Sequence, residues 1–307
     1  MVADAPLGGA VVDEKESSAV FRLCFRPGEG AWRRHAGGVV ADEDPEGAEG
    51  TPLGVEGDGC RAIPEVKLRA LLAAYGCQDE TLIEGLVAMS ESTGKGWWSG
   101  YRQSPLNDSI RDLAELESTA IAHRSFQWMY VPGLLQTPEY VRALIAGGEV
   151  DATPGELDTY VEFRLKRQEV LTGNSPPVFH AVIHEAAFHM QFVDTEIMRG
   201  QIEHLVEMAR LPNIHIQLLP FRTSLSPATP ATPFVLLEAE APELNTVYVQ
   251  HPVSSAFLED QAHLTQYGTA FERLSAAALP PIDPVPEQES YKRSDSLRLV
   301  QHLLYTL

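Results

Sequence analysis

Residues 126–148 read FQWMYVPGLLQTPEYVRALIAGG, and this stretch decides the fold. Its first part, FQWMYVP, has the aromatic and β-branched content of a strand. TPEYVRALIAGG follows as a capped helix. The alternation then continues. PGELDTYVEFRLKRQEVLTG (154–173) keeps Leu157, Val161, Leu165 and Val170 at helical spacing, and PPVFHAVIHE (176–185) is a strand by its length and β-branched content. DTEIMRGQIEHLVEMARLP (194–212) reads as a helix and NIHIQLLPF (213–221) as a strand. TPFVLLEAE (232–240) and NTVYVQHP (245–252) are two further strands, and the helix EDQAHLTQYGTAFERLSAAAL ends the pattern at about residue 279. Strands interleaved with helices predict an α/β (α+β) domain on one mixed sheet over residues 101–279.

Working outward, PEVKLRALLAAYG (64–76) places Val66, Leu68, Leu71, Leu72 and Tyr75 at helical spacing and stops at Gly76. Asp79 caps a second helix, ETLIEGLVAMSES, with Leu82, Leu86 and Met89 on one side. After the break TGKGWWSGYRQSP, a third helix is expected from about Asn107 to His123, burying Ile110, Leu113 and the run from Leu116 to Ile121. On the C-terminal side, residues 280–296 form a proline-rich polar linker, and LRLVQHLLYTL is a short apolar helix expected to dock on the body.

Residues 1–60 differ from all of this. They hold 12 acidic and 5 basic residues, with glycine and proline scattered through a nearly aperiodic text, so a poorly ordered segment is expected. The whole chain of 307 residues carries a formal charge of −20, which repels a phosphate backbone unless a local basic face exists. At 44% hydrophobic and 21% charged residues it has the composition of a soluble globular protein. No run approaches the ~18 apolar residues of a membrane span. The start lacks the order of a signal peptide, and Cys24, Cys60 and Cys77 form no CxxC pair, so a reducing cytoplasm is expected.

Chemistry is sparsely signalled. His180 and His184 fall on one face of a strand, with Glu185 and His189 just beyond, yet the spacing is HExxxH rather than the HExxH that brings two histidines to one zinc ion. The simpler reading is a strand with two histidines on its polar or partner-facing side, and no metal or cofactor is expected. No GxSxG elbow and no phosphate-binding glycine loop is present. Trp97 and Trp98, and separately Trp128 and Tyr130, are candidates for a ligand pocket, with apolar packing at the domain junction as the plainer alternative. EFRLKRQE, with Arg164, Lys166 and Arg167 among Glu162 and Glu169, reads as a salt-bridged solvent face.

PEVKLRALLAAYG, GWW, LAELESTA, VPGLLQTPEYVRALI, EFRLKRQEVLTG, LPNIHIQLLPF and FERLSAAAL follow one another in an order that resembles the actinomycete Xre-type helix-turn-helix regulators with a large C-terminal domain, over about residues 61–279. The resemblance implies an antitoxin-like transcriptional regulator. In that family a five-helix DNA-binding domain precedes a C-terminal domain that senses a ligand or a small partner protein, often one encoded next door. By the same resemblance, residues 61–100 are the helical remnant of the DNA-binding domain. The basic recognition helix expected upstream of Arg61 is missing from residues 1–60, through degeneration or a shifted reading frame, so no DNA-contact residue carries over. The loop TSLSPATPATP, with Pro227, Pro230 and Pro233, replaces the family's glycine- and histidine-containing loop.

The expected function is therefore a regulator-like protein whose C-terminal domain binds a small partner protein or ligand, with DNA binding weak or lost. Exchange of the terminal helix would make a homodimer. The alternative is reuse of the domain as a cofactor-independent cyclase or isomerase of secondary metabolism, with His180, His184 and Glu185 beside Trp128 and Tyr130.

Overall fold

A computed structural model describes residues 64–92, 96–148, 150–224, 232–250, 255–283 and 295–307. The acidic segment 1–60, most of the 223–233 loop and residues 284–294 of the linker lie outside them. Helices α1 (Glu65–Ala74) and α2 (Glu80–Ser92) form a hairpin, followed by a 3-10 turn at Trp97–Tyr101 and α3 (Asp108–Thr119). Then come β1 (Ala122–Gln127), α4 (Pro138–Gly148), α5 (Pro154–Gln168), β2 (Val178–His184), α6 (Thr195–Met208) and β3 (Ile214–Leu219). The chain continues through β4 (Phe234–Glu238), β5 (Thr246–Gln250), β6 (Ser255–Leu258), α7 (Gln261–Ala277) and α8 (Ser296–Thr306). Helix starts are set by side-chain caps: Asp79, Asn107, Asp194, Asp260 and Asp295 each accept from a backbone N–H, and Thr153 with Glu156 completes a capping box.

The six strands make one mixed sheet in the order β3-β2-β1-β4-β5-β6. β1, β2 and β3 are parallel, and β4, β5 and β6 continue antiparallel from β1. This is the α/β architecture expected. Strand alternation sends Phe126, Val182, Leu219, Phe234, Leu236 and Val247 to one face, where Leu264, Phe271 and Leu274 of α7 cover them. The opposite face has two separate apolar clusters. One joins Phe179, Ala181, Ile183, Ile214, Ile216 and Leu218 to α6 and to Val300 and Leu303 of α8, which docks on the body as expected. The other sets Leu113 and Leu116 of α3 against Leu237 and Tyr248.

The two outer edges of the sheet differ. Along β3, Leu279 N donates to Leu218 O and Ile282 N to Ile216 O, while the buried Ser296 hydroxyl accepts from Leu218 N at 2.9 Å. Among the described residues, β6 pairs only with β5. The α1–α2 hairpin packs Leu68, Leu72, Leu86 and Val87 on Ala241 and Leu244 of the β4–β5 connection. Gly76 supplies the positive φ of 74° that ends α1. Gly85 permits a close approach, because a Cβ there would lie 2.7 Å from Leu244 Cδ1.

Three expectations are corrected. The third helix ends at Thr119, and the strand begins at Ala122 rather than Phe126. Ser118 and Thr119 hydroxyls donate back to the Glu115 and Leu116 carbonyls, and by Ile121 the backbone is already bonding to Glu238 and Val178. WMYVP is loop, since side chains take both backbone groups of Val131: its N–H donates to Tyr140 Oη and its carbonyl accepts from Gln136 Nε2. Ile121, Val66 and Tyr75, counted on apolar faces, are exposed, and β6 was not anticipated.

Candidate functional site

β1 runs between the two apolar clusters, and the side chains it sends to that face are polar. His123 and Ser125 are completely buried there, in a position where the neighbouring strands supply Ala181 and Leu237. From α3, Glu117 meets Arg167 of α5 in a two-pronged ion pair, with Nε to Oε2 at 2.8 Å and Nη2 to Oε1 at 2.7 Å. Both side chains are under 10% exposed. One turn earlier on α5 stands Arg164, half-buried, whose Nη1 donates to Gln136 Oε1 at 3.1 Å.

The loop leaving β1 is clamped around this layer. Gln168 Nε2 donates to the carbonyls of Gly133 and Gln136, and Gln201 Nε2 donates to that of Leu135. Gln201 Oε1 also accepts from Thr137 N at 2.8 Å. A loop held by three glutamines is a rigid wall for whatever lies beneath it.

The electrostatics are unbalanced. Two guanidinium groups face one carboxylate, leaving a single positive charge in the layer. Burial would lower Arg167, yet the charge and hydrogen bonds of Glu117 hold it above its ordinary value. Arg164 has no hydrogen-bonded carboxylate: burial, then the charge of Arg167, pull it down to about 10, against weaker opposing effects of Tyr248, Glu117 and Tyr140. It is still charged at neutral pH, at an energetic cost. Burial also pushes His123 below its ordinary range, so its ring is neutral. The His123 ring has only the backbone of Glu117 to turn to, and the Ser125 hydroxyl has no hydrogen-bond partner among the described residues. Buried polar atoms are nearly always partnered, which makes the Ser125 hydroxyl the exception in this layer.

A family described as a domain of unknown function, DUF5753, matches residues 110–285, and this span contains the whole polar layer. The chain belongs to that family. No curated protein and no solved structure matches it.

The site residues singled out in the sequence lie elsewhere in the DUF5753 domain or at its border. His180 and His184 do share a face of β2, about 13 Å apart at strand spacing. His180 Nε2 is bonded to Gln217 Oε1 at 2.7 Å, under α7. His184 Nδ1 accepts from Ala186 N, and Glu185 Oε2 accepts from Phe221 N, so each secures the turn after β2. His189 stands by Glu185 and Phe221 and does not approach His180. Among the described residues no group of three His, Cys, Asp or Glu side chains is arranged to hold a metal ion. Trp97 and Trp98 pack with Phe163, Leu106 and Ala114 between α3 and α5. Trp128 and Tyr130 are partly exposed in the loop after β1, where Tyr130 meets Phe192. The two aromatic pairs therefore form no common lining.

EFRLKRQE is a correction. Arg164 and Arg167 point inward rather than into a solvated charge ladder, Lys166 lies over the Trp97 ring, and Glu162 accepts from the Tyr101 hydroxyl. The usable signal was Arg164, Arg167 and Gln168 at i, i+3 and i+4, in phase with the buried Val161. No helix among the described residues is long and apolar enough to cross a membrane.

Proposed function

We propose that this chain is a transcriptional-regulator-like, antitoxin-like protein whose DUF5753 domain binds a small-molecule ligand or a small partner protein, with DNA binding weak or lost. The observation that carries this reading is the polar layer: a rigid, buried, charge-unbalanced group in a position where packing alone would call for apolar side chains. The resemblance to Xre-type regulators supports the regulatory setting. Weak DNA binding is supported by the charge of −20 and by Arg69 of α1, whose guanidinium is taken up by Glu65 and Glu84 at 2.7 and 2.6 Å. Nothing favours the enzyme alternative, because His184 and Glu185 each hold a backbone amide.

The test has two arms. The full-length chain is titrated with DNA from its own upstream region across a salt series, and tight binding that weakens steeply with salt would refute the loss of DNA binding. In parallel the chain is purified from its native host under gentle conditions and weighed by native mass spectrometry. A bound small molecule or a small protein supports the reading, and a bare chain overturns it.

A further inference from the structure

Arg164 is the charged member of the polar layer that has no carboxylate hydrogen-bonded to it. A guanidinium presents five N–H donors, and the single hydrogen bond from Arg164 goes to the neutral Gln136 oxygen. The nearby carboxylate of Glu117 is committed through both oxygens to Arg167. Arg164 stands by the loop that leaves the carboxyl end of β1, where the sheet changes from parallel pairing with β2 to antiparallel pairing with β4. In open α/β sheets the crevice beyond such a strand end is where ligands are received.

Building on the ligand-binding reading above, we propose that Arg164 receives the carboxylate of a small organic acid, with Ser125 as a second polar contact and Gln136 holding the guanidinium in position. The charge balance selects this class. One uncompensated positive charge matches a monocarboxylate, whereas a phosphate dianion would leave a negative charge buried in a chain that already carries −20. The planar fork of arginine matches the two oxygens of a carboxylate, and a lysine there would not reproduce it. Ser125 is 1% exposed with its hydroxyl unpartnered, and it lies in one cross-strand row with Val235 and Tyr248, the latter a group whose charge acts on Arg164.

The experiment uses the full chain and reads melting temperature against acetate, butyrate and benzoate, each compared with its neutral amide and with inorganic phosphate at matched ionic strength. At least one carboxylate is expected to raise the melting temperature saturably, with its amide and phosphate at least tenfold weaker. Arg164→Met is expected to abolish that response and to melt higher than the unliganded wild type, because it removes an uncompensated charge. Arg164→Lys keeps the charge and is expected to bind at least tenfold more weakly. The assignment is overturned by an unchanged response in Arg164→Met, by an amide as effective as its acid, by a wild type indifferent to all three carboxylates, or by an Arg164→Met chain that melts well below wild type. A ligand or partner recovered from the native host in spite of any of these leaves the broader binding reading in place and removes only the carboxylate site.

Discussion

Glu117→Gln offers the sharpest trial of the polar layer as a charged unit. The substitution keeps the shape of the side chain and removes its charge, leaving Arg167 buried and Arg164 next to it with no anion in the layer. Both partners of the native pair are under 10% exposed, so solvent cannot screen the loss. Removing one partner of such a pair costs about 3–5 kcal/mol. At roughly 3 °C per kcal/mol for a domain of this size, the melting temperature should fall by about 10 °C. Urea unfolding followed by tryptophan fluorescence would measure it, with an unchanged slope showing that stability alone has moved. The double variant Glu117→Leu/Arg167→Met should recover most of the loss, since a hydrophobic pair replaces the ion pair and the layer keeps only the single positive charge of Arg164 that it already carries. A loss below about 1 kcal/mol in Glu117→Gln, or a double variant as unstable as the sum of the two single changes, would refute the reasoning.

Asp112 is 8% exposed with Oδ2 unpartnered, and burial, with Glu115 adding to it, pushes its carboxyl up to about 7. Its folded form holds a proton more tightly than its unfolded form, so stability is expected to fall as pH rises from about 4 to 7. Asp112→Asn should be neutral at pH 4 and stabilising by up to about 4 kcal/mol at pH 8, as paired denaturation curves would show. Gly85→Val should cost about 1–3 kcal/mol through the clash with Leu244, and adding Leu244→Ala should return part of it; protease susceptibility of the α1–α2 hairpin would report the same change. Ser296→Ala should cost about 1–3 kcal/mol by stranding the Leu218 N–H, with hydrogen exchange at that amide rising ahead of its neighbours.

Much of the fold was legible because long elements declare their period. The helix TPEYVRALIAGG and the strands PPVFHAVIHE and NIHIQLLPF fell where their residues put them. The boundary between α3 and β1 was not legible, since Leu116 to Ile121 suits either state, and the decision is made by partners far along the chain at Glu238 and Val178. The polar layer was hidden for a related reason. An arginine on a helix usually marks the wet side, and only Glu117, some fifty residues earlier, turns Arg167 inward. Histidine and tryptophan drew notice by their rarity, although His180 and His184 brace a strand and its turn, and Trp97 and Trp98 fill a helix junction.

The unequal edges of the sheet set a limit on assembly. With β3 sealed by residues 279–282 and Ser296, the described part of the domain has a valence of one for strand-to-strand association, through β6. A unit of valence one cannot be a link in a chain, because a single edge can be used only once. Among the described residues, the C-terminal segment that closes β3 thereby acts as a terminator at that edge.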